Sequence, residues 1–343
     1  MSKPKHILVI RLSAMGDVAM TVPVLKAFSL QYPDVKITVA SRPFFKPFFR
    51  DIKSVSFFEV DVNGRHKGLK GLYQLFKDTK ALGITEVADL HNVLRSQIVR
   101  TFYKISGIKV AATDKGRNDK KELTKLAPKV IKPVKNMFQR HVDTFAALGY
   151  TVNLSNPVFE SKAVLSNKLI EITGNKSEQW IGIAPFAQYE SKVYPAHLMQ
   201  HVINSLALSS PLKKIFLFGG GKIEIEALNE FKNKHDNVVV LAGKLNLNEE
   251  MDVISNLDVM VSMDSGNAHI ASLLGIRVVS IWGATHPYAG FLPFNQKMED
   301  ALIPNLKKFP FLPTSVYGNK KVPGYEKVME SISVESIIKK INI

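Results

Sequence analysis

Residues 257–283 read LDVMVSMDSGNAHIASLLGIRVVSIWG. Val259 to Met263 is apolar except at Ser262, the pattern of a strand buried in a parallel sheet. The run stops at Asp264-Ser265-Gly266-Asn267, residue types that cap helices and form tight turns. A small-residue helix carrying His269 follows, and then a second buried strand, RVVSIWG. The first backbone N–H groups of such a helix lack intrahelical partners, so the turn favours an anion. Gly266 permits close backbone approach, and His269 lies one turn into the helix, on the side that reaches the same anion. At the carboxyl end of a strand, this arrangement is where α/β proteins bind phosphates. A nucleotide-like ligand is expected.

The same alternation extends in both directions. In the first half HILVIRL, VKITVAS, SVSFFEV, ITEVADL and IKVAAT read as strands. Between them GDVAMTVPVLKAFSLQY, PFFKPFF, KGLYQLFKDTKAL and VLRSQIVRTFYKI carry helical apolar spacing. A further helix is expected at about Met137 to Leu148. Thr151 to Ser177 is polar and irregular, the best candidate for an interdomain linker. In the second half WIGIAPF, KKIFLFGG, NVVVLAG, LDVMVSM and RVVSIWG read as strands, with helices near 195–209, 222–234, 247–256 and 267–274. After Trp282 comes a loop rich in Pro, Phe and Asn, and an amphipathic helix from about Tyr325 to Ile341 closes the chain. The fold class is α/β: two Rossmann-like domains, 1–160 and 161–343, facing a cleft where ligands usually sit. The final helix is a candidate to pack back on the first domain.

The 343 residues exceed one typical core and suit two domains. With 45% apolar and 9% aromatic residues the chain is globular. No apolar run approaches the ~18–20 residues that span a bilayer. The opening MSKPKHILVIRLS superficially resembles a signal peptide, but Arg11 interrupts its apolar run and no small-residue cleavage site follows, so it reads as the first core strand. The absence of cysteine excludes disulfides, thiolate catalysis and Cys-ligated metals, and fits a reducing cytoplasm. A net charge of +16 favours acidic partners such as nucleic acid, anionic lipid or a phosphorylated substrate. The excess is concentrated between Lys109 and Arg140, where ten basic residues face three acidic ones. That segment is either a solvated face or an acidic-partner site.

The first strand gives way to Ser13-Ala14-Met15-Gly16-Asp17, a flexible turn without the glycine spacing of a dinucleotide loop or a P-loop. What it offers is a carboxylate at a strand's carboxyl end. Asp17 is either a helix cap or a general base.

At this point two segments resemble glycosyltransferase family 9, the heptosyltransferases of lipopolysaccharide core synthesis. IRLSAMGDVAMTVPVLKAF is similar to that family's Arg-x-x-x-x-Gly-Asp-x-x-x-x-x-Pro opening, and MDSGNAHIASLLGIRVVSIWGATHP to its Asp-Ser-Gly-x-x-His-x-Ala block and following Gly-x-Thr. Weaker echoes are ADLHNVLRS, ESKVYP, FGGGKIEIEA, AGKLNLNE and the tail MESISVESI. The resemblance implies a GT-B architecture, with acceptor on the N-terminal domain and nucleotide sugar on the C-terminal one. It implies inverting transfer from a nucleotide-activated heptose, usually ADP-heptose, to a lipopolysaccharide-core or other acidic glycolipid, with no cofactor. Asp17 matches the general base. Lys192 matches the lysine on the donor phosphates, and Asp264, Ser265, Gly266 and His269 match the turn around the leaving diphosphate. Gly243, Leu245 and Asn246 would border the nucleoside, and Glu224 or Glu226 would meet the ribose. Departures are Ala284 and His286 where Pro and Asp are common, Tyr194 for tryptophan, Asn267 for Pro, and the missing cysteines.

The residue types suit that chemistry. Displacement at an anomeric carbon needs a base on one face and stabilised leaving-group charge on the other, a division of labour shared with inverting hydrolases. A diphosphate leaves without a general acid, its charge met by helix N–H groups, Lys192, Ser265 and His269. Asp264 would repel phosphate, so it is expected to cap the helix or to hold Lys192 or His269. Without an Asp-x-Asp, metal dependence is not expected.

Arg65, Arg95 and Arg117 are candidates for an acidic acceptor, or solvated loop charges. His197 and His201 stand at i,i+4 but lack the glutamate of HExxH, so exposed histidines are expected. Phe44, Phe45, Phe48 and Phe49 read as packing against the sheet, or as a membrane-touching patch. The expected location is cytoplasmic, with peripheral contact to the inner membrane and no nucleic-acid partner. The competing reading is a non-catalytic protein that binds a nucleotide or an anionic surface with the same fold.

Overall fold

The computed structural model describes residues 4–176 and 178–342. The chain divides into two compact units. One comprises Met1–Lys115 with Met137–Val158, the other Gly116–Asn136 with Phe159–Ile343. A boundary at 160/161 therefore misses one exchange: the basic segment 116–136 belongs to the second unit.

The first unit is a five-stranded parallel sheet in the order β3-β2-β1-β4-β5, built from β1 (His6–Ile10), β2 (Lys36–Ser41), β3 (Val55–Glu59), β4 (Glu86–Asp89) and β5 (Lys109–Ala112). Central β1 pairs with both neighbours, Ile7 opposite Ile37 and Glu86, and is buried from Ile7 onward because helices cover both faces. The helices are α1 (Met15–Ala19), α2 (Val22–Gln31), α3 (Gly68–Lys80), α4 (Leu94–Ile105), α5 (Arg117–Leu123), which lies in the second unit, and α6 (Met137–Leu148). The expected single helix over 16–32 is two. Thr21 Oγ1 donates to the Val18 carbonyl and Pro23 starts the new helix in its first turn, where its missing N–H costs nothing. PFFKPFF forms 3₁₀ turns that bury Phe45, Phe48 and Phe49 and leave Phe44 exposed.

The second unit holds six parallel strands in the order β11-β10-β9-β6-β7-β8: β6 (Trp180–Ala184), β7 (Lys214–Leu217), β8 (Val238–Val240), β9 (Val259–Met263), β10 (Arg277–Ile281) and β11 (Ala301–Leu302). Its helices are α7 (Asn167–Thr173), α8 (Ala196–Ser209), α9 (Lys222–Lys232), α10 (Leu247–Ser255), α11 (Gly266–Leu273) and α12 (Val334–Ile341). Every residue of β6 and β9 is buried. Trp180 packs edge-on against Phe216 with ring centroids 4.8 Å apart, and burying such side chains contributes about 2–3 kcal/mol each.

Four expectations change here. The stretch read as a linker carries α7, capped by Ser166 (Ser177 lies outside the described residues). The two-residue β11 is too short to show periodicity. Only Val334–Ile341 of the closing segment is α-helical, because Ser333 caps it there. That helix belongs to the second unit: Ile337 and Ile341, one turn apart, enter that unit's core, and α12 packs on α8 and β10. Tyr194 Oη donates to the Ile332 carbonyl at 2.7 Å and pins the approach to it.

The basic segment is tied inward at two lysines. The Lys120 ammonium lies 4.2 Å from the centre of the Phe291 ring. Lys129 Nζ donates to the carbonyls of Phe311, Pro313 and Lys125, and burial with Lys125 nearby lowers its pKa to about 8.

Candidate active site

In each unit strand order reverses beside a central strand, so the loops leaving two neighbouring strands part there and leave room for a ligand. In the second unit the reversal lies between β6 and β9. The loop after β6 carries Lys192 at the end of a single 3₁₀ turn, and β9 runs directly into Asp264 and α11. Lys192 Nζ and Asp264 Oδ2 are 3.0 Å apart, with side chains only 13% and 10% exposed. The same Oδ2 accepts from Thr285 Oγ1 at 2.8 Å. A carboxylate this buried needs such partners. Asp264 thus turns its charge to the lysine, one of the roles expected for it, and Ser265 takes the N-cap position with no cap hydrogen bond from its side chain. Ser265 Oγ lies 3.1 Å from Ser262 Oγ, and His269 is buried one turn into α11.

Lys192 is also held from behind. Gly318 has φ +86°, and a Cβ there would run into the lysine's Cγ and Cδ. Ser191 Oγ donates to the Gly318 carbonyl at 2.6 Å. The segment after β10 joins through Ala284 N–H, which donates to the Ser191 carbonyl at 3.0 Å. Gly283 lies so close to that carbonyl that any side chain would collide with it. His286, next along, is buried. Its Nδ1 accepts from Tyr288 N–H, and burial, aided by Lys129, lowers its pKa to about 4.

The proposed nucleoside residues follow β7 and β8 on the same sheet end. Gly243 takes φ +76°, Leu245 is half-buried, and Asn246 caps α10 in a reciprocal pair with Glu249. Glu224 Oε2 accepts from Gly220 N–H at 2.8 Å, whereas Glu226 is exposed near Lys222. In α10, burial raises the Glu250 carboxyl to about 7.

The first unit's reversal lies between β1 and β4. Asp17 sits there in the first turn of α1, its side chain 35% exposed. Buried Arg11, the residue after β1, spans the gap: Nη2 is 2.6 Å from Asp17 Oδ2, and Nη1 donates to the Leu90 carbonyl at 2.7 Å. His91 follows, buried, its pKa lowered to about 3 by burial first and then by Arg11 and Lys115. Below it Asp89 accepts from His91 N–H, Asn92 N–H and Arg100.

The three acceptor candidates are not brought together in one unit. Arg65 Nε and Nη2 bind Asp78 at 2.8 and 2.9 Å, Arg95 is exposed in the first turn of α4, and exposed Arg117 opens α5 in the second unit. His197 and His201 are exposed on α8. Among the described residues no group of three or more His, Cys, Asp and Glu is placed to hold a metal ion. Sequence reasoning gave no role to Thr285, to the Ser191–Gly318 clasp or to Arg11. Arg11 had left a signal, a charge closing an otherwise apolar strand.

The comparisons with known proteins agree with this architecture. A lipopolysaccharide core heptosyltransferase of Haemophilus influenzae, OpsX, is 25% identical over 305 residues, 83% of this chain and 80% of its own length. Among solved structures, a family 9 glycosyltransferase from Veillonella parvula superposes with a TM-score of 0.76 at 18% identity, over 100% of this chain and 97% of its own. Escherichia coli heptosyltransferase WaaC with ADP gives 0.69 at 18% identity, over 98% and 99%. The model of glycosyltransferase family 9 (heptosyltransferase) matches residues 72–315, and the chain belongs to that family.

Proposed function

We propose that this chain transfers heptose from ADP-heptose, with inversion, to an acidic lipopolysaccharide-core acceptor. The observation that carries the reading is the Lys192–Asp264–Thr285 arrangement beside the first turn of α11. It fixes an ammonium near the first-turn N–H groups of α11, which have no partner within the helix, a setting suited to a diphosphate. ADP is chosen because the family is that of heptosyltransferases and a member of this fold is solved with it.

In the proposed step the acceptor hydroxyl oxygen bonds to the anomeric carbon as the bond from that carbon to the diphosphate oxygen breaks. The electron pair leaves with ADP, and Asp17 takes the hydroxyl proton. Lys192, Ser265, His269 and the N–H of Gly266 meet the developing charge, so the step needs no metal. Gly243, Leu245 and Glu224 border the nucleoside. Arg65, Arg95 and Arg117 receive the acidic acceptor, with the larger share on Arg95 and Arg117 because Arg65 shares its charge with Asp78. The 116–136 segment and the +16 charge favour work at the cytoplasmic face of an anionic membrane.

A thermal-shift panel of ADP, GDP and UDP, repeated with EDTA, tests this. A shift confined to ADP and unchanged by the chelator is expected. An equal response to all three, or its loss with EDTA, contradicts it.

A further inference from the structure

We propose that Arg11 is a positioning residue for the transfer reaction, holding the Asp17 carboxylate in the orientation from which it accepts the proton. The proposal rests on the reading of Asp17 as the base. Arg11 is fixed at every level the structure displays. Its N–H donates to the Ala40 carbonyl, its own carbonyl accepts from Ser41 Oγ, and its buried guanidinium bridges the Leu90 carbonyl and Asp17 Oδ2. One side chain thus ties the ends of β1 and β4 to the first turn of α1.

The geometry solves a specific problem. Asp17 sits on a five-residue helix, and the Ala14 N–H bond to its carboxylate is long at 3.4 Å. A helix so short holds a side chain poorly without help from tertiary contacts. A rigid, always-charged guanidinium supplies that help, whereas an ammonium reaches the same place on a flexible stem. Arg11 engages Asp17 through Oδ2 at 2.6 Å.

The other charged groups around the pair leave this role to Arg11. His91, following β4, is buried and held neutral by burial and by Arg11 itself, so it does not compete for the carboxylate. Lys115 and Arg95 act on His91 from the segments after β5 and β4. On the 3₁₀ segment packed against α1, Lys46 is paired with Glu59 and Arg50 with Asp51, and Arg42 precedes it on the exposed side.

The test uses the full chain with ADP-heptose and truncated, deacylated lipopolysaccharide cores as acceptors. R11M is expected to lower kcat by roughly 30–100-fold, the scale of a displaced catalytic group, with the KM for ADP-heptose within twofold. The acid limb of its pH–rate profile should move to higher pH, because the carboxylate loses its cationic partner. R11K keeps the charge without the fork and should recover part of kcat and most of the acid limb. In a D17N background R11M should cost nothing further. Arg11 has no such role if a folded R11M, or R11K should R11M fail to fold, keeps both wild-type kcat and the wild-type profile while D17N is inactive. If D17N itself stays active, the base assignment fails instead, and the two failures are told apart.

Discussion

Lys192 and Asp264, brought together from the loops after β6 and β9, form a 3.0 Å ion pair whose acidic oxygen also accepts from Thr285. The carboxylate is shared between a cation and a hydroxyl, so the lysine is aimed without being fully consumed. Removing the hydroxyl leaves a buried carboxylate short of one donor, which costs about 1–3 kcal/mol. T285V should therefore lower stability by about that amount and weaken ADP binding several-fold. K192A should weaken it more, by over tenfold. Isothermal titration with ADP, alongside thermal melts, checks both.

Gly318 provides a second handle on the same lysine. Its φ of +86° disfavours any side chain by ~1–2 kcal/mol, and the Lys192 stem occupies the space a methyl group would need. G318A should lower the melting temperature and reduce ADP affinity together. A variant that melts earlier yet binds ADP as tightly as wild type would separate Gly318 from the site.

Acid should act on the second unit through His286. Its folded pKa of about 4 lies below the ordinary 6.5, so the unfolded chain binds the proton first as pH falls. The stability it contributes is complete above about pH 6.5 and is lost between there and about pH 4, with a limiting slope of about 1.4 kcal/mol per pH unit. His91 adds a loss of the same sign in the first unit, and Glu250, raised to about 7, one of opposite sign, since its stability is lost as pH rises. The net slope mixes these, so the useful quantity is a difference. H286N keeps an acceptor for Tyr288 N–H, and denaturant melts from pH 7.5 to 5 should show a shallower acid loss than wild type.

Much of the fold could be read from the chain. The strands β1 to β10 lie where short apolar runs such as WIGIA mark them, and the turn at Asp264 to Gly266 follows from cap chemistry. Less was legible where tertiary contacts decide. Segment 116–136 reads as charge alone, yet Lys120 and Lys129 point inward to a ring and to carbonyls contributed by residues 291–313. Amphipathic spacing from Tyr325 suggested a longer closing helix, and no local signal specified which unit it joins. At the site, residue types pointed to Asp17 and Lys192, but Thr285 and Gly318 act through partners distant in sequence, and Arg11 is anchored by the distant Leu90 carbonyl. Such partners cannot be read from spacing.

The central claim is that Asp17 removes the acceptor proton while the second unit holds the diphosphate, and the rate of heptose transfer by D17N measures it most directly. Asparagine preserves the shape and one hydrogen bond but is not a base. Transfer should fall by roughly 10²–10⁴-fold, the usual contribution of a general base, with ADP-heptose binding within twofold of wild type. Transfer near the wild-type rate with intact donor binding would contradict the account.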